Sequence, residues 1–321
     1  MHGQRVVVTD SGFEDLDRER LAAERRGAAF EARQCRTAEE VREAVAGAAV
    51  AVVQFAPVDG RALDGLSPGA RLIRYGVGFD NIDVAAARAR GHDVAYVPDY
   101  CAGEVADHTA AMALALLRGL PILDRQVRDG GWGVVKATPA IAAGGDVTVG
   151  FLGLGRIGQA TLARLRGFGF RFVVDDPRID ESTAADLGLG RVSRAELLGR
   201  SDVVILHLPL CDATRHVLDA EALAAMKPGA LLVNTARGGL VDETALARAL
   251  EEGHLGGAAL DVFETEPLPA ESPLRSAPRL LLSPHASWYS RTAIARLQTL
   301  VAEEIDRALT GQPPRCPVPA V

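Results

Sequence analysis

The sequence predicts an α/β protein made of two doubly wound parallel-sheet domains, the first of them discontinuous. Three observations predict it. Short apolar runs alternate with helix-like segments along most of the chain, the rhythm breaks near residue 100, and a long periodic helix follows the last apolar run. At 321 residues the chain exceeds one typical domain and suits two.

The first domain opens with the runs RVVVTD (5–10), AAVAVVQFA (48–56), RLIRYG (71–76) and DVAYVP (93–98). Valine-rich runs separated by stretches long enough for crossover helices predict parallel strands covered on both faces. The pattern changes at Asp99–Cys101, and 104–128 reads as one long Ala- and Leu-rich helix bent near Gly119-Leu120-Pro121. A second series then begins: DVTVGFLG (146–153), RFVVDD (171–176), VVILHL (203–208), ALLVNT (230–235), GGAALDVF (256–263) and RLLLSP (279–284). Six such strands fit a nucleotide-binding sheet. Residues 290–310 form a periodic helix expected to return to the first domain, and the proline-rich tail 311–321 an extended surface strap. The predicted boundaries are 1–99 with 289–321 for the first domain and 100–288 for the second.

Hydrophobic residues at 48% and charged residues at 24% supply substantial cores and exclude a disordered chain. The formal charge of −7, without a basic run, argues against nucleic acid as a partner. Cys35, Cys101, Cys211 and Cys316 lie far apart with no CxxC pair, so neither a zinc cluster nor a disulfide framework is expected. The N-terminal MHGQRVVVTD lacks the apolar core of a signal peptide, and no uncharged stretch is long enough to span a bilayer. A cytoplasmic location without membrane contact is expected. His2, His92, His108, His207, His216 and His254 show no pairing with carboxylates that predicts a metal, and most are expected to be surface or capping residues.

Gly153-Leu154-Gly155-Arg156-Ile157-Gly158 follows the apolar strand VTVGFL and opens a helix. In that context a GxGxxG turn is a dinucleotide-binding fingerprint: Gly153 makes the tight turn, Gly155 admits the pyrophosphate to the backbone, and Gly158 lets the helix lie close on the strand. The phosphates would meet free N–H groups at the helix N-terminus. Eighteen residues beyond Gly158, Asp176 ends the next strand, where a carboxylate accepts from ribose hydroxyls and repels a 2′-phosphate, which predicts NAD(H) as cofactor. Arg178 weakens that preference, since it can pair with a 2′-phosphate. His207, Pro209 and Thr214 end a strand and enter a polar loop suited to lining the adenine and pyrophosphate. For His207 a plain capping role is the equal alternative. Thr235 and Ala236, at the end of a later strand, complete the expected cofactor contacts.

Arg237, Glu266 and His285 stand at or just beyond the carboxyl ends of consecutive late strands, where ligands of open α/β sheets bind. Reducing a 2-oxo acid needs a cation for the carboxylate, a proton donor for the carbonyl oxygen and an anion that keeps the donor protonated and oriented. Arg, His and Glu supply them in turn. Singly, each has a plainer reading: Arg237 as a bridge between domains, Glu266 as a turn cap before Pro267, His285 as a packed histidine. Tyr75, Tyr100 and Trp288 flank the glycine loop, the crossing and the histidine, and are candidate walls of an apolar substrate pocket or simple packing residues.

Taken together, RYGVGFDNID (74–83), GLGRIG (153–158), VNTARGGLVD (233–242), AALDVFETEP (258–267) and SPHASWYS (283–290) resemble the D-isomer-specific 2-hydroxyacid dehydrogenase family, in its order and spacing from Arg71 to about Gly311. The resemblance implies a flavodoxin-like substrate domain and a Rossmann NAD-binding domain. It implies an NAD-dependent oxidoreductase that passes a hydride between NAD(H) and a small 2-oxo or D-2-hydroxy acid. Arg237 would hold the substrate carboxylate and carbonyl, with the N–H groups of Val77 and Gly78 on the other carboxylate oxygen. His285 would protonate the alkoxide, Glu266 would raise its pKa, and Asp261 would face the nicotinamide carboxamide. The long helix from Glu104 and the arm at Gly130-Gly131-Trp132 would form a two-fold contact, hence a homodimer. The crossings near Tyr100 and Ser287 would act as a hinge.

Trp288-Tyr289-Ser290 look most like the C-terminal-binding-protein branch, which motivates an alternative from another class: an NAD(H)-sensing, corepressor-like binding protein with little or no turnover. Phosphite dehydrogenases carry lysine where Val77 stands, so phosphite oxidation is not expected. The linker 130–149 is poor in Arg and Lys, and with no long segment after Val321 serine-type feedback is not expected.

Overall fold

The computed structural model describes residues 3–134 and 142–319. The chain divides into two units, Met1–Cys101 with Tyr289–Val321, and Ala102–Trp288. The first crossing therefore falls at Cys101, two residues beyond the expected Asp99.

In the first unit five parallel strands, β1 (Arg5–Val8), β2 (Ala29–Ala32), β3 (Val50–Val53), β4 (Arg71–Arg74) and β5 (Asp93–Tyr96), form a sheet of order β2-β1-β3-β4-β5. The valine-rich central strands are buried throughout, with Val6 opposite Val50 and Val52 opposite Ile73. β2 is missing from the sequence prediction because AFEA is a half-exposed edge with neither an apolar run nor clean alternation. The returning helix, Arg291–Leu309, starts at Ser290, whose hydroxyl accepts the Ala293 N–H at 2.9 Å. It buries Leu297, Val301 and Ile305 and packs on helix Asp17–Arg25 of the same unit. Buried Arg71 of β4 reaches its Glu304 at 3.0 Å, a pair that locks helix to sheet.

The tail is more than a surface strap. Tyr96 N–H donates to the Cys316 carbonyl at 3.1 Å, Val318 N–H donates to that of Val94 at 2.9 Å, and Val318 is buried. It thus covers the open edge of β5, as sheet edges require. Residues 320 and 321 lie outside the described residues.

The second unit holds β6 (Thr148–Leu152), β7 (Arg171–Asp175), β8 (Gly190–Arg191), β9 (Val203–Leu206), β10 (Leu231–Asn234), β11 (Gly257–Leu260) and β12 (Leu280–Leu282). All run parallel, in the order β12-β11-β10-β9-β6-β7-β8. The order reverses at β6, the switch point where such sheets bind ligands. The expected six strands become seven because β8 is two exposed residues without apolar character. The expected bent helix over 104–128 is two helices, Ala102–Leu117 and Leu120–Arg128, separated at Gly119 in a left-handed conformation with Pro121 in the second helix's first turn. Residues 135–141 of the linker lie outside the described residues. Among the described residues no helix is long and apolar enough to cross a membrane.

Candidate active site

The turn after β6 is shaped by close backbone approach. Gly153 has φ 84°, and a Cβ there would sit 2.7 Å from the His207 carbonyl oxygen. A Cβ on Gly158 would come within 3.0 Å of the Gly153 oxygen. Gly155 precedes helix Arg156–Leu165 with no side-chain cap, so the first N–H groups of that helix are left for an anion. Arg156 is exposed and Ile157 half-buried on that first turn.

Asp176, just past β7, accepts the N–H of Leu154 within this turn at 2.8 Å and that of Arg178 at 2.9 Å. Burial pushes its pKa up, but the Arg178 guanidinium and these two N–H groups outweigh burial and hold it below the usual carboxylate range. The Arg178 side chain lies over it at 3.3 Å and is largely exposed. The donor set fits a dinucleotide: free helix N–H groups for the diphosphate and an ionised carboxylate at the end of the next strand for ribose hydroxyls.

β10, β11 and β12 are neighbours in the sheet, so the loops that follow them are adjacent, and these loops carry Arg237, Glu266 and His285. His285 Nδ1 lies 2.7 Å from Glu266 Oε2, whose other oxygen accepts the Phe263 N–H at 3.0 Å. The carboxylate only accepts, so Nδ1 carries the hydrogen toward Glu266, and Nε2 is the ring nitrogen that faces away from Glu266. His285 is held at φ 52°, a conformation L-residues avoid. What holds it is Asp261. Its carbonyl accepts the His285 N–H at 2.7 Å, and its carboxylate accepts the N–H groups of Ala286 at 2.8 Å and Ser287 at 2.9 Å and the Ser283 hydroxyl at 2.5 Å.

Arg237 is half-buried on a loop stapled by Asn234, whose amide donates to the Arg237 carbonyl at 2.8 Å and accepts the Ala236 N–H at 3.0 Å. A Cβ on the next residue, Gly238, would fall 1.8 Å from the Phe263 carbonyl carbon. Only glycine lets the Arg237 loop lie directly on the backbone leading to Glu266.

Comparison with known proteins agrees with this geometry. The family model for the NAD binding domain of D-isomer specific 2-hydroxyacid dehydrogenases matches residues 110–287. A glyoxylate reductase of Korarchaeum cryptofilum is 40% identical over 80% of this chain and 78% of its own length. The chain belongs to the D-isomer specific 2-hydroxyacid dehydrogenase family. A D-3-phosphoglycerate dehydrogenase of Mycobacterium bovis is 42% identical over 74% of this chain, a match that spans 45% of that longer protein. Among solved structures, the D-lactate dehydrogenase of Aquifex aeolicus, complexed with NAD and lactic acid, superposes with a TM-score of 0.85 at 26% identity, over 95% of this chain and 96% of that one.

Other expected site residues of this dehydrogenase fall in different places. Tyr75 is not a pocket wall: it is buried in the first unit, its phenol donates to the buried carboxylate of Glu19, and it packs on Phe13. Tyr100 is also buried, with its carbonyl taken by Arg296. Trp288 is half-buried as the last residue of the second unit. Asp261, expected to face the nicotinamide carboxamide, has a fully buried side chain that accepts from Ser283, Ala286 and Ser287.

His207 takes a supporting place. Its ring bonds Thr161 at 3.1 Å, stacks on Phe151 and lies against Gly158, and burial drives its pKa down to about 3, so it is neutral. Thr214 turns its hydroxyl inward to the Pro209 carbonyl at 2.6 Å and fixes its own loop. Thr235 is buried, bonded to Thr109 at 2.7 Å. Val77 and Gly78 are half-buried in the loop after β4, and among the described residues their N–H groups have no partner within the chain, which leaves both for an anion.

Sequence reasoning missed Asn234, Ser283, His108 and Thr109. Asn234 and Ser283 lie inside the quoted motifs, and their polarity at strand ends was the available signal. His108, expected as a surface or capping residue, bonds Ser283 at 3.1 Å.

Proposed function

We propose that this dehydrogenase reduces a small 2-oxo acid to the D-2-hydroxy acid, with the chemistry centred on Arg237, Glu266 and His285. The observation that carries the reading is the His285–Glu266 pair on a loop held in a left-handed conformation, beside the strand end that bears Arg237. Arg237 binds the substrate carboxylate as a fixed cation. His285 gives the proton on Nε2 to the carbonyl oxygen, while Glu266 holds Nδ1 and stabilises the orientation of the ring. Gly153, Gly155, Gly158 and Asp176 would hold NADH, which would supply the hydride when bound. In the oxidative direction His285 accepts the hydroxyl proton at the same nitrogen.

The relatives named above are enzymes, which does not favour the corepressor-like reading. With Tyr75 and Tyr100 buried, half-buried Trp288 is what remains of the three expected aromatic walls. The substrates suggested by the relatives, glyoxylate, lactate and 3-phosphoglycerate, are small. A homodimer is the assembly this reading favours: helix Leu120–Arg128 buries none of its side chains, and Leu120, Val127 and Trp132 are exposed. Four free cysteines suit a reducing, cytoplasmic setting.

The test is a panel of glyoxylate, pyruvate, longer 2-oxo acids and a phosphorylated 2-oxo acid, followed by loss of NADH absorbance and chiral analysis of the product. Turnover of at least one acid is expected, with the D-isomer formed wherever the product is chiral; glyoxylate gives achiral glycolate. Tight NADH binding without turnover of any acid would contradict the proposal.

A further inference from the structure

Two consecutive residues of helix Ala102–Leu117 reach two different catalytic loops. His108 Nε2 lies 3.1 Å from the hydroxyl of Ser283, which opens the loop carrying His285. Thr109 Oγ1 lies 2.7 Å from the hydroxyl of Thr235, which opens the loop carrying Arg237. The helix thus touches both halves of the proton-donor and carboxylate-binding machinery through polar contacts one residue apart.

Counting protons fixes the direction of each contact. Asp261 is a pure acceptor, and the Ser283 hydroxyl donates to its Oδ1 at 2.5 Å. A hydroxyl has one hydrogen, so its oxygen must accept from His108, whose ring therefore carries a hydrogen on Nε2. On the other prong the Thr109 hydroxyl donates to the Val105 carbonyl at 2.7 Å. Its oxygen is then the acceptor, and Thr235 donates. The two chains are polarised in opposite senses: His108 to Ser283 to Asp261, which in turn takes the N–H groups of Ala286 and Ser287, and Thr235 to Thr109 to the Val105 carbonyl.

Burial alone does not explain His108. Its side chain is 31% exposed, so it is not there to fill the core, and its Nε2 faces the hydroxyl that anchors Asp261 at 3.1 Å and the Asp261 carboxylate itself at 3.9 Å. Thr109, by contrast, is fully buried against buried Thr235, where an unpaired hydroxyl would be costly.

We propose that His108 and Thr109 are positioning residues, the two prongs of a brace that sets the His285 loop and the Arg237 loop in register. The inference rests on the proposed reduction at that site. The Ser283 prong governs proton delivery and hence kcat. The Thr235 prong governs where Arg237 meets the substrate carboxylate and hence KM.

The experiment compares Ser283→Ala with Ser283→Thr, and Thr109→Val with Thr109→Ser, in steady-state kinetics with NADH and the best 2-oxo acid. In parallel the His285 ring nitrogens are followed by NMR in the cofactor-free protein. Ser283→Ala is expected to lower kcat about 10- to 100-fold, the scale of a displaced catalytic group, and to move the ring signals. Ser283→Thr, which keeps the hydroxyl, is expected to restore both. Thr109→Val is expected to raise KM about 10-fold with a smaller change in kcat, and Thr109→Ser to reverse it. Should Ser283→Ala fail to fold, His108→Ala probes the same prong from its exposed end, with a kcat loss of about 3- to 10-fold expected. Equal behaviour of the alanine and threonine variants, or unchanged kcat and ring signals in Ser283→Ala and His108→Ala, would overturn the brace. A wild type that turns over no acid while its ring signals still respond to Ser283→Ala, but not to Ser283→Thr, would sink the proposed reaction and uphold the brace.

Discussion

The cofactor turn at Gly153–Gly158 and the catalytic loop at Ser283–Ser287 both hold backbone in a shape that ordinary residues avoid, and they do so by opposite means. At Gly153 the left-handed φ of 84° and the 2.7 Å approach to the His207 carbonyl are met by removing the side chain. At His285 the side chain is the point of the loop and has to stay, so φ 52° is imposed from outside by the carbonyl and buried carboxylate of Asp261. A non-glycine residue in a strained conformation costs on the order of 1–3 kcal/mol. Four hydrogen bonds converging on one aspartate offset that cost. The first solution can be read from residue types in order. The second exists only once Asp261, twenty-four positions earlier in the chain, is folded against the loop.

The contrast breaks first at Gly238, where the catalytic loops borrow the glycine solution. Gly238→Ala would set a Cβ 1.8 Å from Phe263 and force the Arg237 and Glu266 loops apart. The expected result is a fall in kcat/KM of about 10²–10³-fold, the scale for misplacing reacting groups by an ångström. Steady-state kinetics beside NADH binding checks it, since the cofactor turn is untouched.

Asp176→Ala tests the other side. Hydrogen bonds to a charged group are worth about 1.5–3 kcal/mol, so NADH affinity is expected to drop about tenfold or more while NADPH affinity drops less, because Arg178 is released from Asp176. Titration of each reduced cofactor by fluorescence measures the pair. An unchanged ratio would mean that discrimination lies elsewhere.

The smallest effect concerns His207, the neutral ring beneath the cofactor turn. The unfolded imidazole takes up a proton near its ordinary 6.5, whereas the folded one stays neutral down to about 3. Between those values the unfolded state binds more protons, so this group's contribution to stability is lost as pH falls. From about pH 7 to about pH 5 the loss is about 1–2 kcal/mol. Thermal unfolding across that range should therefore show a shallower acid slope in His207→Asn than in the wild type.

Much of this was legible in the sequence, and the pattern of misses is physical. The central strands β1, β3, β4, β6, β9 and β10 announce themselves as buried valine and leucine runs. Edge strands β2 and β8 do not, since half-exposed AFEA and exposed GR carry no hydrophobic period. Gly119 looked like a bend in one helix and is the break between two, because its left-handed conformation ends the ladder. At the site, Arg237, Glu266 and His285 were readable as a chemical set at strand ends. The burial of Asp261 under the His285 loop depends on four donors that no local pattern reveals. Tyr75 is a similar case: beside a glycine loop it reads as a pocket wall, and only Glu19, folded in from the first helix, shows that its hydroxyl is spent in the core.

The central claim is that His285, oriented by Glu266, delivers the proton. The most direct measurement is single-turnover oxidation of pre-bound NADH by a saturating 2-oxo acid, in wild type and His285→Gln. The account predicts a rate lower by about 10²–10⁴-fold in the variant with NADH affinity unchanged. A variant that oxidises bound NADH as fast as the wild type would contradict it.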